Sequence, residues 1–473
     1  MIVQNEHTVD SGKKVPAAKG LPLIGQSLKV AKDPLHLLRE LSQQYGDVVK
    51  VRLGLKDFYL LQTPAAARHV LQGNVRNYYK PGAAKLMKKV LGDGLATSNG
   101  ELWLRQRRLI QPAFHRQRLT HFFDILQREI SFLVKEWKEN EIQKPVDVSK
   151  AFLRLTLNNL NKALFGAGVE GSMEEIAHVL RTMLDFSSGN AKALIKVPLS
   201  VPTKNNLRFR KAEEQFEKII YGFIEQREKE QKKDASIQHD DLLQLLLTAY
   251  DDASHTTMTA KQLRDEITTI FMAGHETTSQ TLSWIFYRLA LQPDIYSKAK
   301  EEAERIEGGV ITLDTLQQLT YIRALVEEAM RFYPPVWIIA RKAEAADNIS
   351  GYYLPAGATV LINVYGMHHH PAYWKEPEAF DPSHFCNEVQ EGLPAFLYLP
   401  FGGGQRLCIG QHFAMMVMQT VVVRLVEQFR FLVPKNFVPK IDANLTLRAK
   451  ESIQLFIQQT NGYADSNPSS QLC

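Results

Sequence analysis

Apolar positions along this 473-residue chain fall mostly three and four residues apart, the spacing of helices that bury one face. The periodicity predicts helices over 34–45, 64–72, 100–110, 119–140, 148–165, 172–186, 205–233, 240–249, 259–291, 294–306 and 320–333. A further run, 409–428, has the spacing of a buried helix and follows a glycine-rich loop. Strict alternation is confined to short stretches. Two of them, 48–53 and 58–61, are split by Gly54 and Asp57 and read as a hairpin. After Pro334 the texture turns to short strands and turns punctuated by Gly351, Pro355 and Gly357, and strand-like segments recur over 429–457. The pattern predicts a mainly α protein with a smaller β portion toward each end.

Composition narrows this picture. Hydrophobic residues make up 45% and charged residues 23%, as in an ordinary water-soluble globular chain. No linker, repeat or low-complexity tract divides the sequence, so one domain over 1–473 is expected, with 1–18 and 461–473 flexible. Residues 1–22 hold no apolar run long enough for a signal peptide or a membrane span, and a soluble, cytoplasmic protein without a transmembrane anchor is expected. Cys386, Cys408 and Cys473 imply no disulfide framework and cannot supply four thiolates to an iron–sulfur cluster. The net charge of +6 is not concentrated, so no nucleic-acid partner is expected.

Chemistry gathers at four places. The loop 401–410 reads F-G-G-G-Q-R-L-C-I-G and puts Cys408 at the start of a buried helix, with Arg406 two residues before it. Free backbone N–H groups and the helix dipole there favour a thiolate. A nucleophile, an axial ligand to iron and an inert buried cysteine all remain open on this stretch alone. In the middle of the long 259–291 helix lies Ala273-Gly274-His275-Glu276-Thr277-Thr278. Small residues let a large group approach, and the Thr277 hydroxyl can take the Ala273 carbonyl. A proton relay and a close helix crossing both fit. A zinc-hydrolase reading of His275-Glu276 fails because Ser279 stands where a second histidine is needed.

Glu328 and Arg331 share a face of an apolar helix just before Tyr333-Pro334-Pro335, which suggests a buried pair. Trp103 and Arg107, four apart, aim two donors the same way, suited to a carboxylate. The glycines 402–404 lack the residues of a phosphate loop, and His368-His369-His370 reads as structural rather than metal-binding.

In this order these stretches resemble the cytochrome P-450 superfamily of heme-thiolate monooxygenases, over nearly the whole chain. The loop satisfies F-x-x-G-x-R-x-C-x-G, and 273–278 matches A-G-x-E-T-T. Residues 328–331 match E-x-x-R, and 103–107 match W-x-x-x-R. The resemblance implies heme b between the long central helix and the helix after the cysteine loop. Cys408 would be the proximal thiolate on iron, favouring O–O cleavage. Arg107, Arg341 and Arg406, helped by Trp103, would bind the heme propionates. Phe401, Ala273 and Gly274 would also lie against the cofactor. Thr277 and Glu276 would deliver protons to bound dioxygen, while Glu328 and Arg331 would anchor the segment supporting the cysteine loop. One departure stands out: where the family usually has P-E-R-F, this chain has Pro382-Ser383-His384-Phe385, so His384 would complete the triad.

The substrate pocket implied is hydrophobic and includes Ala96, Ala273, Val336, Trp337 and Ile338. A hydrophobic small molecule is the expected substrate, a fatty acid or a terpenoid; Lys56 could meet a carboxylate at the entrance, but a solvated surface lysine is the stronger reading. Residues 191–202 fall where the family has its substrate-access loop. NAD(P)H electrons are expected through a separate ferredoxin- or flavodoxin-type donor docking on Arg105, Arg108, Arg116 and Arg118, with the protein a monomer. A peroxygenase or isomerase and a heme carrier or sensor without turnover are the alternatives to hydroxylation or epoxidation.

Overall fold

A computed structural model describes residues 12–460 apart from 82–87, 89, 140–143, 167–174, 177, 180, 181, 184, 185, 187–196, 235–238, 307, 308 and 387–391. Six helices position the site: α1 (Gly100–Ile110), α2 (Arg116–Glu139), α3 (Val148–Phe165), α4 (Ala260–Leu291), α5 (Thr320–Phe332) and α6 (Gln411–Gln428). Helix α4 starts where the Thr259 side chain accepts from the Gln262 N–H and the Gln262 side chain accepts from the Thr259 N–H. Such a reciprocal cap satisfies two end donors and fixes the start of the helix. From there α4 runs through the middle of the body, buried along most of its length.

Its closest neighbour is α3. A Cβ on Gly274 would stand 3.0 Å from Leu160, so the glycine lets the two backbones close up. The Thr156 hydroxyl donates to the His275 carbonyl across the same crossing at 3.1 Å. Beyond it the core is aromatic: Phe152 lies 5.0 Å from Phe286, which meets Phe431 edge-on at 4.7 Å. Helix α6 is apolar enough to be buried from Met416 to Leu425 and Val426, and it backs the cysteine loop.

The larger sheet contains β1 (Val48–Leu53), β2 (Lys56–Leu61), β3 (Tyr78–Tyr79), β4 (Ile339–Ala343) and β5 (Thr359–Ile362), in the order β1-β2-β5-β4-β3. The predicted hairpin is β1–β2, in register from Val48↔Leu61 to Leu53↔Lys56, with Gly54 turning at a φ of 56°. Strand β5 runs parallel to β2 and β4 antiparallel to β5. Strand β3 pairs with the outer edge of β4 through Tyr79↔Lys342.

Several boundaries differ from the sequence reading. The helix after Cys408 begins at Gln411, and the 64–72 helix ends at Arg68 and continues as a wider π-type turn, His69–Gly73. Residues 12–18, expected to be loose, are tied down: Lys13 bridges to Tyr352, Ala17 bridges to Lys50, and Val15 is buried. The 172–186 helix lies partly outside the described residues, as does 191–196 of the expected access loop, while 1–11 and 461–473 lie wholly outside. Among the described residues no helix is long and apolar enough to cross a membrane.

Candidate functional site

A cavity of about 560 Å³ separates α4 from the loop that carries Cys408. The loop is shaped by its glycines. Gly404 has a φ of 65°, and a Cβ there would stand 1.9 Å from the Leu71 carbonyl, so no other residue fits. Gly402, at φ 74°, would point a Cβ into open space. The Cys408 N–H donates to the Phe401 carbonyl at 3.0 Å and closes the turn.

Cys408 opens into the cavity, yet dense protein surrounds it on the other sides. Burial pushes its thiol up, outweighing the Gly410 N–H, Arg107 and Lys80, which all pull it down. The expectation of a thiolate favoured by the helix and by Arg406 is therefore corrected. The helix starts three residues later, and Arg406 turns to the Ser98 carbonyl at 3.0 Å and to Asn99 Oδ1 at 2.9 Å. A thiol in this state is a weak free nucleophile. A metal ion changes the balance, because coordination itself removes the thiol proton.

Around the same cavity stand Lys80, Arg341 and Arg406, with Arg107 behind the loop donating to the Leu407 carbonyl at 2.8 Å. Among the described residues none of these four has a carboxylate within 4.0 Å. Burial lowers Arg341 and Arg406 to about 10, Arg341 adding its repulsion to Arg406. Lys80 falls to about 7, from burial first and then from the two guanidiniums. Buried charges of one sign without counter-ions are costly, and their grouping in a cavity wall calls for an anionic ligand. Two carboxylates on a flat apolar body fit this donor set, which is the chemistry of a heme. The sequence reading missed Lys80; it reaches the group because β3 pairs with β4 and brings it beside Arg341. Its Nζ also donates to the Ala96 carbonyl at 2.8 Å.

Trp103 is buried and does not line the cavity. The Arg406 guanidinium lies 4.3 Å from its ring centroid, so the indole positions that arginine from behind. Trp103 and Arg107 thus meet different partners within the protein, the Arg406 guanidinium and the Leu407 carbonyl.

The facing wall is α4. Ala273, Gly274 and Thr277 line it, and Thr277 Oγ1 donates to the Ala273 carbonyl at 2.8 Å, as the spacing predicts. Glu276 does not line the cavity. It sits one residue off that helical face, with Oε1 3.8 Å from Arg448 on the strand Leu447–Ala449. Ala96 and Val336 line the cavity as expected. Trp337 and Ile338 do not: the Trp337 indole N–H donates to the Asn444 carbonyl at 2.9 Å, and Pro335, Ile339 and Ala340 take the wall instead. Lys56 is exposed at the start of β2 and is absent from the lining. Three polar residues unmarked in the sequence reading, Glu266, Thr269 and Thr281, also line the α4 wall.

Beneath the cysteine loop, Arg331 is fully buried and uses every donor direction. Its Nε and Nη2 each reach Glu328 at 2.7 Å, while Nη1 and Nη2 donate to the carbonyls of His368, Pro377 and Ala379 at 2.8, 2.9 and 2.8 Å. This bidentate fork with saturated partners is the arrangement in which a buried ion pair persists. His384 completes the triad. Its Nδ1 lies 3.3 Å from both Glu328 oxygens and its Nε2 lies 2.6 Å from the Lys375 carbonyl. Burial opposes charging the ring, but Glu328 and the carbonyl prevail, and its pKa is raised. The network reaches the loop through His368, whose Nε2 accepts the Leu399 N–H at 2.9 Å. His368 is held far below the usual range at about 3, chiefly by burial. The triple histidine is therefore structural, and no metal-binding cluster is found among the described residues.

On the outer side of the loop lies a more polar depression of about 940 Å³, bordered by Arg107, His115, Arg323, Glu327, Cys408 and His412. Of the basic side chains expected near it, Arg116 lies outside those described, and the other three have partners within the protein. Arg108 binds Asp251 at 2.8 Å, Arg118 binds Asp240 at 2.5 Å, and Arg105 donates to Thr256 and to the Thr257 carbonyl. The small hairpin Tyr250–Asp251 and Thr256–Thr257 that does this carries too short a pattern to be predicted.

Comparison with known proteins gives a consistent result. A family model described as Cytochrome P450 matches residues 15–456. Cyclooctatin synthase of Streptomyces melanosporofaciens is 32% identical over 86% of each chain. Cyclooctat-9-en-7-ol 5-monooxygenase of the same organism is 29% identical over 88% of each. The crystal structure of the cytochrome P450DA heme domain superposes with a TM-score of 0.85, covering 95% of this chain and 99% of that one at 23% identity.

Proposed function

The chain belongs to the cytochrome P450 family, an oxidoreductase of the heme-dependent monooxygenase kind, and from that premise we propose that it oxygenates a cyclic, largely hydrocarbon terpenoid by hydroxylation or epoxidation. The observation that carries the reading is one cavity shared by the Cys408 thiol, the Ala273–Thr277 groove and a set of cations without counter-ions. Cys408 would ligate the heme iron, and Lys80, Arg341 and Arg406, with Arg107, would hold its carboxylates. When bound, the heme supplies reduction of dioxygen and transfer of one oxygen atom to the substrate.

The protein's own part is binding, orientation and proton supply. Apolar side chains (Leu95, Ile110, Phe114, Ile270 and Val336 among them) hold the substrate and exclude water. Thr277 holds a proton at Oγ1 inside the groove. Glu276, half-buried and drawn toward Arg448, is the acid that exchanges with solvent behind it. A cyclic skeleton is favoured over a fatty acid on two grounds. The cationic groups of the cavity are those suited to the cofactor, and Lys56 lies outside it. Two similar proteins bear the names cyclooctatin synthase and cyclooctat-9-en-7-ol 5-monooxygenase. Electrons come from a separate donor, for which the depression on the outer side of the cysteine loop is the proposed dock.

The test is turnover of the heme-loaded protein with a surrogate ferredoxin and its reductase under isotopically labelled dioxygen. One labelled atom in the product is expected. Product formed only from peroxide, with no label from dioxygen, would overturn the assignment.

A further inference from the structure

Beyond the Thr277 groove with its neighbours Thr278 and Thr281, the α4 wall of the cavity carries two further polar residues, Glu266 and Thr269. Glu266 is fully buried: its Oε2 accepts the Leu95 N–H at 2.9 Å, and its Oε1 has no partner among the described residues. Thr269 is 7% exposed, and its Oγ1 is also without a partner. Three residues apart on one helix, the two side chains share a face. They also share a neighbour, since a Cβ on Gly94, next to Leu95, would stand 2.3 Å from Thr269 Oγ1. A buried polar atom left unpaired is costly, and two such atoms beside one ligand cavity mark a subsite.

We propose that Glu266 Oε1 and Thr269 Oγ1 recognise a hydroxyl group already present on the substrate. This rests on the monooxygenase reading of the same cavity and narrows it to a pre-oxygenated skeleton. The hydroxyl oxygen accepts from one of the two groups and its proton goes to the other. An ammonium group does not suit the site, because Lys80, Arg341 and Arg406 border the same cavity. A carboxylate is drawn to those cations rather than to an acid. The state of Glu266 supports a hydroxyl: burial, opposed by the Leu95 N–H and reinforced by Asp265, raises it to about 8. The carboxyl is thus mostly protonated at neutral pH, and both it and the threonine donate and accept.

The helix sets the distance. Thr269 and Glu266 precede Ala273 by four and seven residues, which at 1.5 Å per residue is roughly 6 and 10 Å along the axis. The carbon to be oxidised should therefore lie about 6–10 Å from the anchored hydroxyl. The reaction that supplies this substrate must be one that installs an alcohol on a hydrocarbon skeleton, either hydration or an earlier hydroxylation.

Matched pairs test the proposal: cyclic terpene alcohols against their deoxygenated parents, with cedrol and cedrane, and borneol and bornane, as probes. Affinity for the heme-loaded protein is read by Soret shift and by calorimetry. At least one alcohol is expected to bind about tenfold or more tightly than its parent. The ratio should fall to within about twofold of unity in Thr269→Val and decrease in Glu266→Gln, which keeps an acceptor for Leu95. No alcohol preference in any pair, or a preference untouched by Thr269→Val, overturns the proposal. The thiolate-type Soret band of the reduced carbonyl complex is recorded on each sample. Its presence shows that Cys408 holds the heme, and the labelled-dioxygen assay run on the same samples decides the monooxygenase reading whichever way the pairs fall.

Discussion

Replacing His384 with alanine isolates the position at which this chain departs from the usual arginine. The variant removes the ring from a carboxylate 3.3 Å away, leaves the Lys375 carbonyl without its donor, and deletes an edge-on contact with Trp374 at 5.8 Å. A hydrogen bond to a charged group contributes about 1.5–3 kcal/mol and an edge-to-face ring pair about 0.5–1.5 kcal/mol. The carboxylate contacts are long and Arg331 keeps Glu328 paired, so the low ends apply, about 2 kcal/mol in all. That is a sizeable part of a typical 5–15 kcal/mol stability, and with an unfolding entropy of about 2.1 cal/mol/K per residue over 473 residues it corresponds to roughly 2 °C in melting temperature. The loss should depend on pH. Because the folded-state pKa of His384 is raised, its contribution is fully present below about pH 6.5 and fades as pH rises through the folded value. Melting temperature and heme transfer to apomyoglobin, measured for both proteins at about pH 6 and pH 9, should show a larger gap at the lower pH. Equal melting temperatures and heme loss throughout, or a gap that widens at high pH, would refute the reasoning.

Three further outcomes are expected. Cys408→Ser should keep the helical fold by circular dichroism yet lose the thiolate-type Soret band of the reduced carbonyl complex and all turnover. Lys80→Met should act in opposite directions on the two forms. With burial no longer opposing a charge, the apoprotein should melt higher, while heme affinity drops about 10–100-fold from loss of one charge-assisted contact, as read by heme titration. Thr277→Ala should leave the substrate-induced Soret shift in place but lower product formed per NADPH consumed, and unchanged coupling would remove Thr277 from the proton path.

The fold and the centre of the site were legible because their signals are local. Cys408, its glycine loop, the Thr277–Ala273 bond and the Glu328–Arg331 pair each sit within ten residues of sequence. Lys80 was not legible, because only the Tyr79↔Lys342 pairing places it beside Arg341. Trp337 was misplaced because an indole N–H takes the direction of its acceptor, here the Asn444 carbonyl. The partner of Arg108 was not legible for the same kind of reason: Asp251 comes from a two-residue strand that leaves no periodic trace. Glu266 did leave a trace, an acid seven residues before Ala273 on a buried helical face, and it could have been found by asking which polar residues share the face of the groove.

The loop from Pro400 to Cys408 borders both the 560 Å³ cavity and the 940 Å³ depression behind it; Pro400, Phe401, Gly402, Cys408 and Ile409 face each of them. It is a partition one chain thick. Were a guest in the cavity to shift this wall and so change the affinity of a protein docked in the depression, reciprocity would require that protein to change the affinity for the guest by the same factor. A substitution in a partition this thin faces both spaces at once and belongs to neither side alone.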